Sequence, residues 1–307
     1  GLFAARRPDG SFADPLARDQ ALVLWGVSNL ILAATSARDD YWHKAYRDLV
    51  DADDYRDLAA RARAAVEKLP PELPVDRALA IEALGRYALV AKDGGRRRAA
   101  LALARGHAEA LRQVEDGSLE DSALAVYGLI EAGRLLGDDL YASAATRLFR
   151  SALRPKWDDR LGVFRTGGPI TYTSATTAAV AAALNAVRWH GPADLSKEAV
   201  RLYPKFLETV LVRAGLLLSS PLALVPAEYR KDRPDAAFAH PALPSPEKAG
   251  TAPVFAGEVR YERGAWRVTH RTFRMAEALF LANVLVRPRD GRADPFLPAD
   301  RLARLER

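Results

Sequence analysis

Three aspartates recur at equivalent places in the sequence and are the first candidates for chemistry. Each begins a similar tetrapeptide: Asp19-Gln-Ala-Leu, Asp76-Arg-Ala-Leu and Asp121-Ser-Ala-Leu. Glu120 precedes the third copy, so that stretch carries two adjacent carboxylates. Paired carboxylates can act as general acid and general base, as they do on the two sides of a glycosidic bond. These four acids are therefore the candidate catalytic residues.

A repeated Asp at a helix start also has a structural explanation. Asp is a favoured N-cap residue, because its carboxylate accepts backbone N–H bonds and its charge complements the helix dipole. Three equivalent positions in one repeat favour this capping role for Asp19, Asp76 and Asp121 alike. Asp121, which has Glu120 beside it, is the strongest candidate for a catalytic exception.

Four aromatic residues are candidates for lining a ligand pocket. Trp25 and Tyr127 each lie six residues after one of the repeated Asp residues, at matching offsets. Tyr172 precedes an Ala-rich apolar segment, and Trp266 lies near the end of a Pro-rich segment. Aromatic rings commonly line small-molecule pockets, and packing in the core is the alternative for Trp25 and Tyr127.

A short cationic stretch offers a different kind of site. His270, Arg271 and Arg274 lie where the Pro-rich segment rejoins an apolar helix. Together they could bind an anionic group such as a carboxylate or phosphate, and a surface cap on that helix is the alternative. The five His residues form no H-x-H or H-x-x-x-H pair and the chain has no Cys, so neither a metal site nor a cofactor is expected.

Two further acidic stretches have both a chemical and a structural interpretation. Trp157-Asp-Asp159 could offer an aromatic platform with carboxylates, but Trp157 and Phe164 stapling a loop to the outer helices is the favoured interpretation. Asp51-Ala-Asp-Asp54 spells the D-x-D-D acid motif of class II terpene cyclases. It lies among alternating Arg and Asp residues on a solvent-facing segment, so a helix break and cap explains it better.

The candidate residues lie on predicted helices of two kinds, apolar and more charged, which alternate along the chain. Apolar residues surround the helix nearly completely in segments 19–32, 76–90, 121–136, 173–187 and 274–286. They are confined to a stripe, among more charged residues, in segments 41–69, 96–114, 141–153 and 197–212. A helix without a wide polar face is buried on several sides, whereas a striped helix faces solvent. Alternation of this kind with short loops is typical of stacked helical hairpins.

The apolar segments can be overlaid as an internal repeat. Their Asp starts are separated by 57 and 45 residues, near the length of a two-helix unit with its loops. Seven residues after each Asp comes a small residue, namely Gly26, Ala83 or Gly128. We expect these small residues to let neighbouring inner helices approach closely.

Residues 219–270 interrupt the repeat. Their many prolines exclude a long helix. Near the end, Glu258-Val-Arg-Tyr261 and Ala265-Trp-Arg-Val268 flank Glu-Arg-Gly, which predicts a β-hairpin. An insertion of this length is typically a lid or an interaction surface, so it is the candidate contact for a protein partner. The whole chain, 1–307, is predicted to be one domain carrying this insertion.

Three stretches carry a family resemblance: Leu119–Ala132, Leu136–Tyr141 and Trp157–Phe164. Across residues 115–190 they resemble a hairpin of the six-hairpin glycosidase superfamily. They are also similar to the α/α-toroid part of the thioredoxin-fused and N-acylglucosamine 2-epimerase-like families. The resemblance implies an (α/α) barrel whose pocket opens at one end of the inner helices, and sugar chemistry as its activity. The chain departs from it in having about five hairpins rather than six, and no catalytic signature of a single family.

The composition of the chain restricts which partners and which source we expect for the protein. With 49% apolar and 27% charged residues among 307, the chain can build a sizeable core. The net charge of +6 is spread along the chain apart from Arg96-Arg97-Arg98, so no nucleic-acid partner is expected. The sequence contains no run of eighteen uncharged apolar residues, so no transmembrane segment is predicted. The absence of Cys excludes disulfides and thiolate catalysis. One Met, three Asn and two Gln beside abundant Arg favour a heat-adapted source.

The first residue, Gly1, has three explanations. A removed signal peptide is the one that would place the protein outside the cytoplasm, a location slightly favoured here. A fragment of a longer chain or a trimmed chain are the others.

We therefore expect an all-α toroid or partial toroid of about five helical hairpins, with a Pro-rich insertion and a small β-hairpin. Two functions fit this expectation. One is a carbohydrate-active enzyme of hydrolase, lyase or epimerase type, with a carbohydrate ligand at the mouth of the barrel. The other is a non-catalytic toroid that serves as a binding or scaffold subunit of a larger assembly, for example at the cell surface.

Overall fold

The computed structural model describes residues 1–4, 9–35, 46–115, 117–219, 254–272 and the single positions 278 and 281. This part of the chain is mostly helical. Its eight α-helices are α1 (Ala17–Ala34), α2 (Ala52–Lys68), α3 (Pro74–Val90), α4 (Gly94–Arg112), α5 (Leu119–Leu136), α6 (Asp139–Leu148), α7 (Ser174–His190) and α8 (Ala193–Leu207). A π-helical turn extends α6 over Phe149–Leu153, and another extends α8 over Glu208–Arg213.

The helices form two rows. In the inner row α1, α3, α5 and α7 pack side by side in that order, and α2, α4, α6 and α8 cover them from outside. The inner helices α3, α5 and α7 are buried nearly all round. In contrast, α2 buries only one narrow stripe of Ala and Val side chains. The predicted alternation of buried and solvent-facing helices is thus confirmed.

Two glycine contacts define how α3 and α5 run. A Cβ added at Gly128 of α5 would lie 2.9 Å from the Cα of Ala78 in α3. A Cβ at Gly85 of α3 would lie 2.5 Å from a methyl carbon of Leu135 in α5. Since both contacts advance together along the two chains, α3 and α5 are parallel and start at the same end. The close approach predicted for Gly128 is confirmed, and Gly85 adds a second one.

The other two small residues, which were also expected to allow close helix contacts, differ in their burial. Ala83 is fully buried in α3. Gly26 is exposed, and a Cβ added there would meet no atom within 4 Å. Gly26 therefore makes no close helix contact in the described part of the chain.

Short antiparallel strands accompany the helices. They are β1 (Trp157–Asp158), β2 (Val163–Phe164), β3 (Thr171–Tyr172), β4 (Leu217–Ser219), β5 (Val254–Phe255), β6 (Glu258–Glu262) and β7 (Ala265–His270). The predicted hairpin is confirmed as β6 and β7, with Arg263 and Gly264 at positive φ as a two-residue turn requires. Strand β3 pairs with β6 and so ties this hairpin to the start of α7. The pairings β1–β2, β3–β6 and β4–β5 were not predicted.

Parts of the predicted fold lie outside the described residues. The charged segment predicted over 41–69 is helical from Ala52, where Asp51 is the N-cap and accepts a 2.9 Å bond from the backbone N–H of Asp53. The cap interpretation of the 51–54 motif is therefore confirmed. Of the fifth apolar helix, only Ala278 and Leu281 are described, and both are helical and buried. Residues 220–253 of the insertion also lie outside the described part.

We predict that Gly128→Ala destabilises the protein by about 1–3 kcal/mol, because the new methyl group meets the backbone of α3. Chemical denaturation would measure the change. The matched control is Gly106→Ala on the exposed side of α4, where a Cβ has open space. That variant should gain about 0.5–1 kcal/mol from helix propensity alone. A Gly128→Ala protein as stable as its parent would contradict the close packing of α3 on α5.

Candidate functional site

The starts of the four inner helices gather at one end of the double row, which we call the helix-start face. It comprises residues 16–20, 73–77, 118–122 and 173–177. The charges of Arg18 and Asp19 act on Asp76, which places the starts of α1 and α3 together. Thr176 Oγ1 donates a 3.3 Å hydrogen bond to Glu120 Oε2 and so joins the starts of α5 and α7.

The three repeated aspartates occupy the third position of their helices. The N-cap residues are Leu16 for α1, Leu73 for α3 and Ser118 for α5. The expectation that Asp19, Asp76 and Asp121 are N-caps is therefore wrong. They lie inside the first turn, where a negative charge still interacts favourably with the helix dipole.

Asp76 has the most unusual environment of the three. Its side chain is 8% exposed, and its Oδ1 atom has no hydrogen-bond partner among the described residues. Burial raises the pKa of this carboxyl above its ordinary value, the Arg18 charge opposes the rise, and the nearby Asp19 adds to it. Two candidate catalytic residues, Asp19 and Asp76, are thus close together, and the pKa of the more buried one is raised.

Asp121 and Glu120 are held by neighbouring hydroxyl groups. Ser118 Oγ donates a 2.7 Å hydrogen bond to Asp121 Oδ2 and accepts one from the Asp121 backbone N–H at 3.0 Å. Asp121 therefore takes part in the cap of α5 without being the cap itself. Glu120 accepts from Thr176, whose hydroxyl lies 3.3 Å from that of Thr173. Carboxylates and hydroxyls form a continuous polar edge across α5 and α7.

The four aromatic candidates fall in two places. Trp25 is buried between α1 and its neighbours, and its Nε1 has no partner among the described residues. Tyr127 is buried in the larger core, which also holds Tyr172 and contacts Trp266. Trp266 lies 6.4 Å from Tyr172 between ring centroids. The structure groups Tyr172 with Trp266 and places Trp25 in a separate core cluster.

Tyr172 has a clear packing role. Its hydroxyl accepts a 3.0 Å bond from the backbone N–H of Phe164 and donates one to the Phe164 carbonyl. Its ring meets that of Phe206 edge-on, with centroids 5.5 Å apart. Burial raises the pKa of this phenol, so the hydroxyl stays protonated and keeps both bonds.

Of the predicted cationic site, His270 is the last residue of strand β7 and Arg271 follows it. His270 and Arg271 are exposed, and Arg274 lies outside the described residues. His270 Nδ1 is 3.6 Å from Glu258 Oε1. The Thr269 hydroxyl, together with Arg260 and His270, lowers the pKa of Glu258, so this carboxylate is charged at neutral pH. In the described part of this stretch, His270 thus lies beside Glu258, a carboxylate of the same hairpin.

The loop after α6 is held against the helices by packed aromatic side chains. Trp157 and Phe164 pair across β1 and β2, with ring centroids 4.9 Å apart. Phe164 in turn packs 5.9 Å from Phe206 of α8. Asp158 accepts backbone bonds within the turn, and Asp159 accepts the indole N–H of Trp157 at 2.7 Å. The favoured interpretation of this loop is confirmed, because each of these groups serves the local packing.

A groove that the sequence had not indicated lies at the opposite end of the row. It forms between the start of α2, the end of α3 and the start of α4, with a volume of about 310 Å³. Its rim carries Asp53, Asp54 and Asp57 of α2 facing Lys92 and Arg96 of the α3–α4 region. The one signal in the sequence was the concentration of acids just after Asp51, which had been assigned to capping.

Comparison with known protein families and with curated proteins found no match. Among the described residues, no group of three His, Asp or Glu side chains is arranged to hold a metal ion. None of the described helices is both long enough and apolar enough to span a membrane.

We predict that Asp76→Asn is more stable than the parent protein at pH 7. The raised pKa means that folding favours the protonated form. The associated stability is complete below the ordinary pKa of 3.8 and is lost as pH rises through the folded-state pKa. The neutral amide does not suffer this loss, so we expect Asp76→Asn to be more stable than the parent at pH 7 and the difference to disappear near pH 3.

Thermal unfolding across this pH range would measure the difference. Asp139→Asn is the control, because Asp139 is exposed in the first turn of α6. An Asp76→Asn protein that is less stable than its parent by the same amount at pH 7 and at pH 3 would contradict a carboxyl pKa raised by burial.

Proposed function

We propose that the helix-start face is the active site of a carbohydrate-active enzyme of hydrolase, lyase or epimerase type. The observation that carries the proposal is the pair formed by Asp19 and Asp76. Asp76 is buried with a raised pKa, and Asp19 lies beside it in a more exposed position. Two carboxyl groups in different environments can divide the roles of acid and base. Asp76 is then the general acid and Asp19 the general base.

The arrangement of the helices supports an α/α toroid around this pair. Four parallel inner helices start at one end, as they would around the mouth of such a barrel. Ala278 and Leu281, from the segment predicted as a fifth inner helix, belong to the same core as α5 and α7.

The polar edge of α5 and α7 supports a polyhydroxylated substrate. Glu120, Thr173 and Thr176 present oxygen atoms that can donate to or accept from sugar hydroxyls. In the proposed site these groups orient the sugar while Asp76 and Asp19 perform the proton transfers. Asp121 supports the start of α5 through its bond to Ser118.

A non-catalytic binding or scaffold protein is the second candidate. The burial of Trp25, Tyr127 and Tyr172 favours it, since their exposed fractions of 7%, 1% and 0% leave little ring surface for stacking on a sugar. In this alternative the raised pKa of Asp76 is a consequence of packing alone.

We predict that Asp76→Asn or Asp19→Asn lowers turnover by about 10²–10⁴-fold, the usual contribution of a general acid or base. The measurement is chromatographic detection of cleaved, eliminated or epimerised products after incubation with a panel of glycosides, oligosaccharides and free sugars. Asp139→Asn is the control and should retain full turnover. Asp121→Asn should reduce stability by no more than about 1–2 kcal/mol, so any larger loss of turnover would point to a direct role.

The two candidate functions differ in one outcome. If no member of the panel is turned over, and none protects the protein against thermal unfolding, the enzymatic proposal fails and the scaffold alternative is favoured. If turnover occurs but both Asp→Asn variants retain it, the carboxylate pair is not the catalytic centre.

A further inference from the structure

The groove between α2, α3 and α4 has the size of a small-ligand site. Its volume of about 310 Å³ is at the lower end of the range for small-molecule pockets, which suits a ligand of a few heavy atoms. Three apolar side chains, Ala59, Val90 and Ala91, form part of its wall and are buried. An apolar wall beneath a charged rim favours a ligand with an apolar stem and a polar head.

One tyrosine that lines this groove has a hydroxyl without a hydrogen-bond partner among the described residues. Tyr87 of α3 lines the groove and is 2% exposed. Its hydroxyl makes no hydrogen bond with any described residue, yet it is not among the fully enclosed polar atoms. A buried phenol normally finds a hydrogen-bond partner. Because Tyr87 lines the groove, a ligand bound there is a candidate partner for this hydroxyl.

Some of the charged side chains on the rim form ion pairs and others do not. Arg56 and Lys92 both pair with Asp53, and these two bonds, with that to Lys92 the larger cause, lower the pKa of the Asp53 carboxyl. Asp54 and Asp57 form no ion pair within the described residues. They are three residues apart on α2, so their side chains share one face of the helix.

Helix capping does not account for both of these acids. Asp54 lies in the first turn of α2, where the helix dipole favours a negative charge. Asp57 lies beyond that turn, and its negative charge is repelled by those of Asp53 and Asp54 on the same helix. The groove is lined by four aspartates, Asp53, Asp54, Asp57 and Asp93, and by three cations, Arg56, Lys92 and Arg96, so acids outnumber cations by one. The uncompensated charge near Tyr87 is therefore negative.

We propose that this groove binds a small organic cation, namely a primary ammonium group on a short apolar stem. The ammonium lies between the carboxylates of Asp54 and Asp57, and one of its N–H groups donates to the Tyr87 hydroxyl. The stem packs against Val90 and Ala91. An ammonium has three donors and no acceptor, which matches two carboxylates and a phenol oxygen.

The test is a ligand-observed NMR titration of the protein with n-pentylamine at neutral pH and low salt. The amine is protonated under these conditions. n-Pentanol and n-pentanoate serve as ligands of the same stem length with a neutral or negative head. We expect binding of pentylamine with a Kd of about 1 mM, and neither of the other two should compete with it.

Two variants and one control locate the binding. Asp54→Asn with Asp57→Asn should weaken pentylamine binding at least about fivefold, and Tyr87→Phe should weaken it at least about threefold. Both changes keep the shape of the side chain, and the two Asp side chains are exposed, so circular dichroism should show an unchanged fold. Asp139→Asn should bind like the parent protein. The proposal is overturned if pentanoate binds as tightly as pentylamine, if pentylamine does not bind, or if the double Asn variant binds it as well as the parent.

Discussion

The contact of Gly128 with Ala78 sets the distance between α3 and α5, and the arrangement of the inner row depends on it. A side chain at position 128 would meet the Cα of α3 at 2.9 Å, so only glycine permits this spacing. Because α3 and α5 then run parallel in close contact, their first turns come to the same end of the molecule. The outer helices cover the other side of each pair and complete the burial.

This packing has a consequence for the acids of the first turns. Asp76 lies in the first turn of α3 and is buried, so a charged carboxylate there loses part of its hydration. Burial raises its pKa, while the start of α1 supplies a second carboxyl and the guanidinium of Arg18. A carboxyl whose pKa is raised on folding lowers stability at neutral pH. Features of that kind are retained where activity requires them, which links the fold to the proposed chemistry.

Much of the helical architecture could be predicted from the sequence, because periodic burial is a local property of each segment. The eight helices and the hairpin of β6 and β7 follow from such patterns. The pairing of β3 with β6 joins residues nearly ninety positions apart, and no local pattern reports it. The role of Asp121 was also inaccessible, since Ser118 and an acid in the first turn leave similar signals at a helix start. The groove beside Tyr87 depends on three helices meeting, so only the three-dimensional arrangement reveals it.

The central claim is that packing of the inner row raises the pKa of Asp76 beside Asp19. The most direct measurement is an NMR titration of side-chain carboxyl carbons, with Asp76→Asn used to assign the resonance. The account predicts that Asp76 titrates clearly above the ordinary value of 3.8 in the folded protein, and that Asp19→Asn brings its pKa down by removing a neighbouring negative charge. An Asp76 that titrates at or below 3.8 would contradict the account.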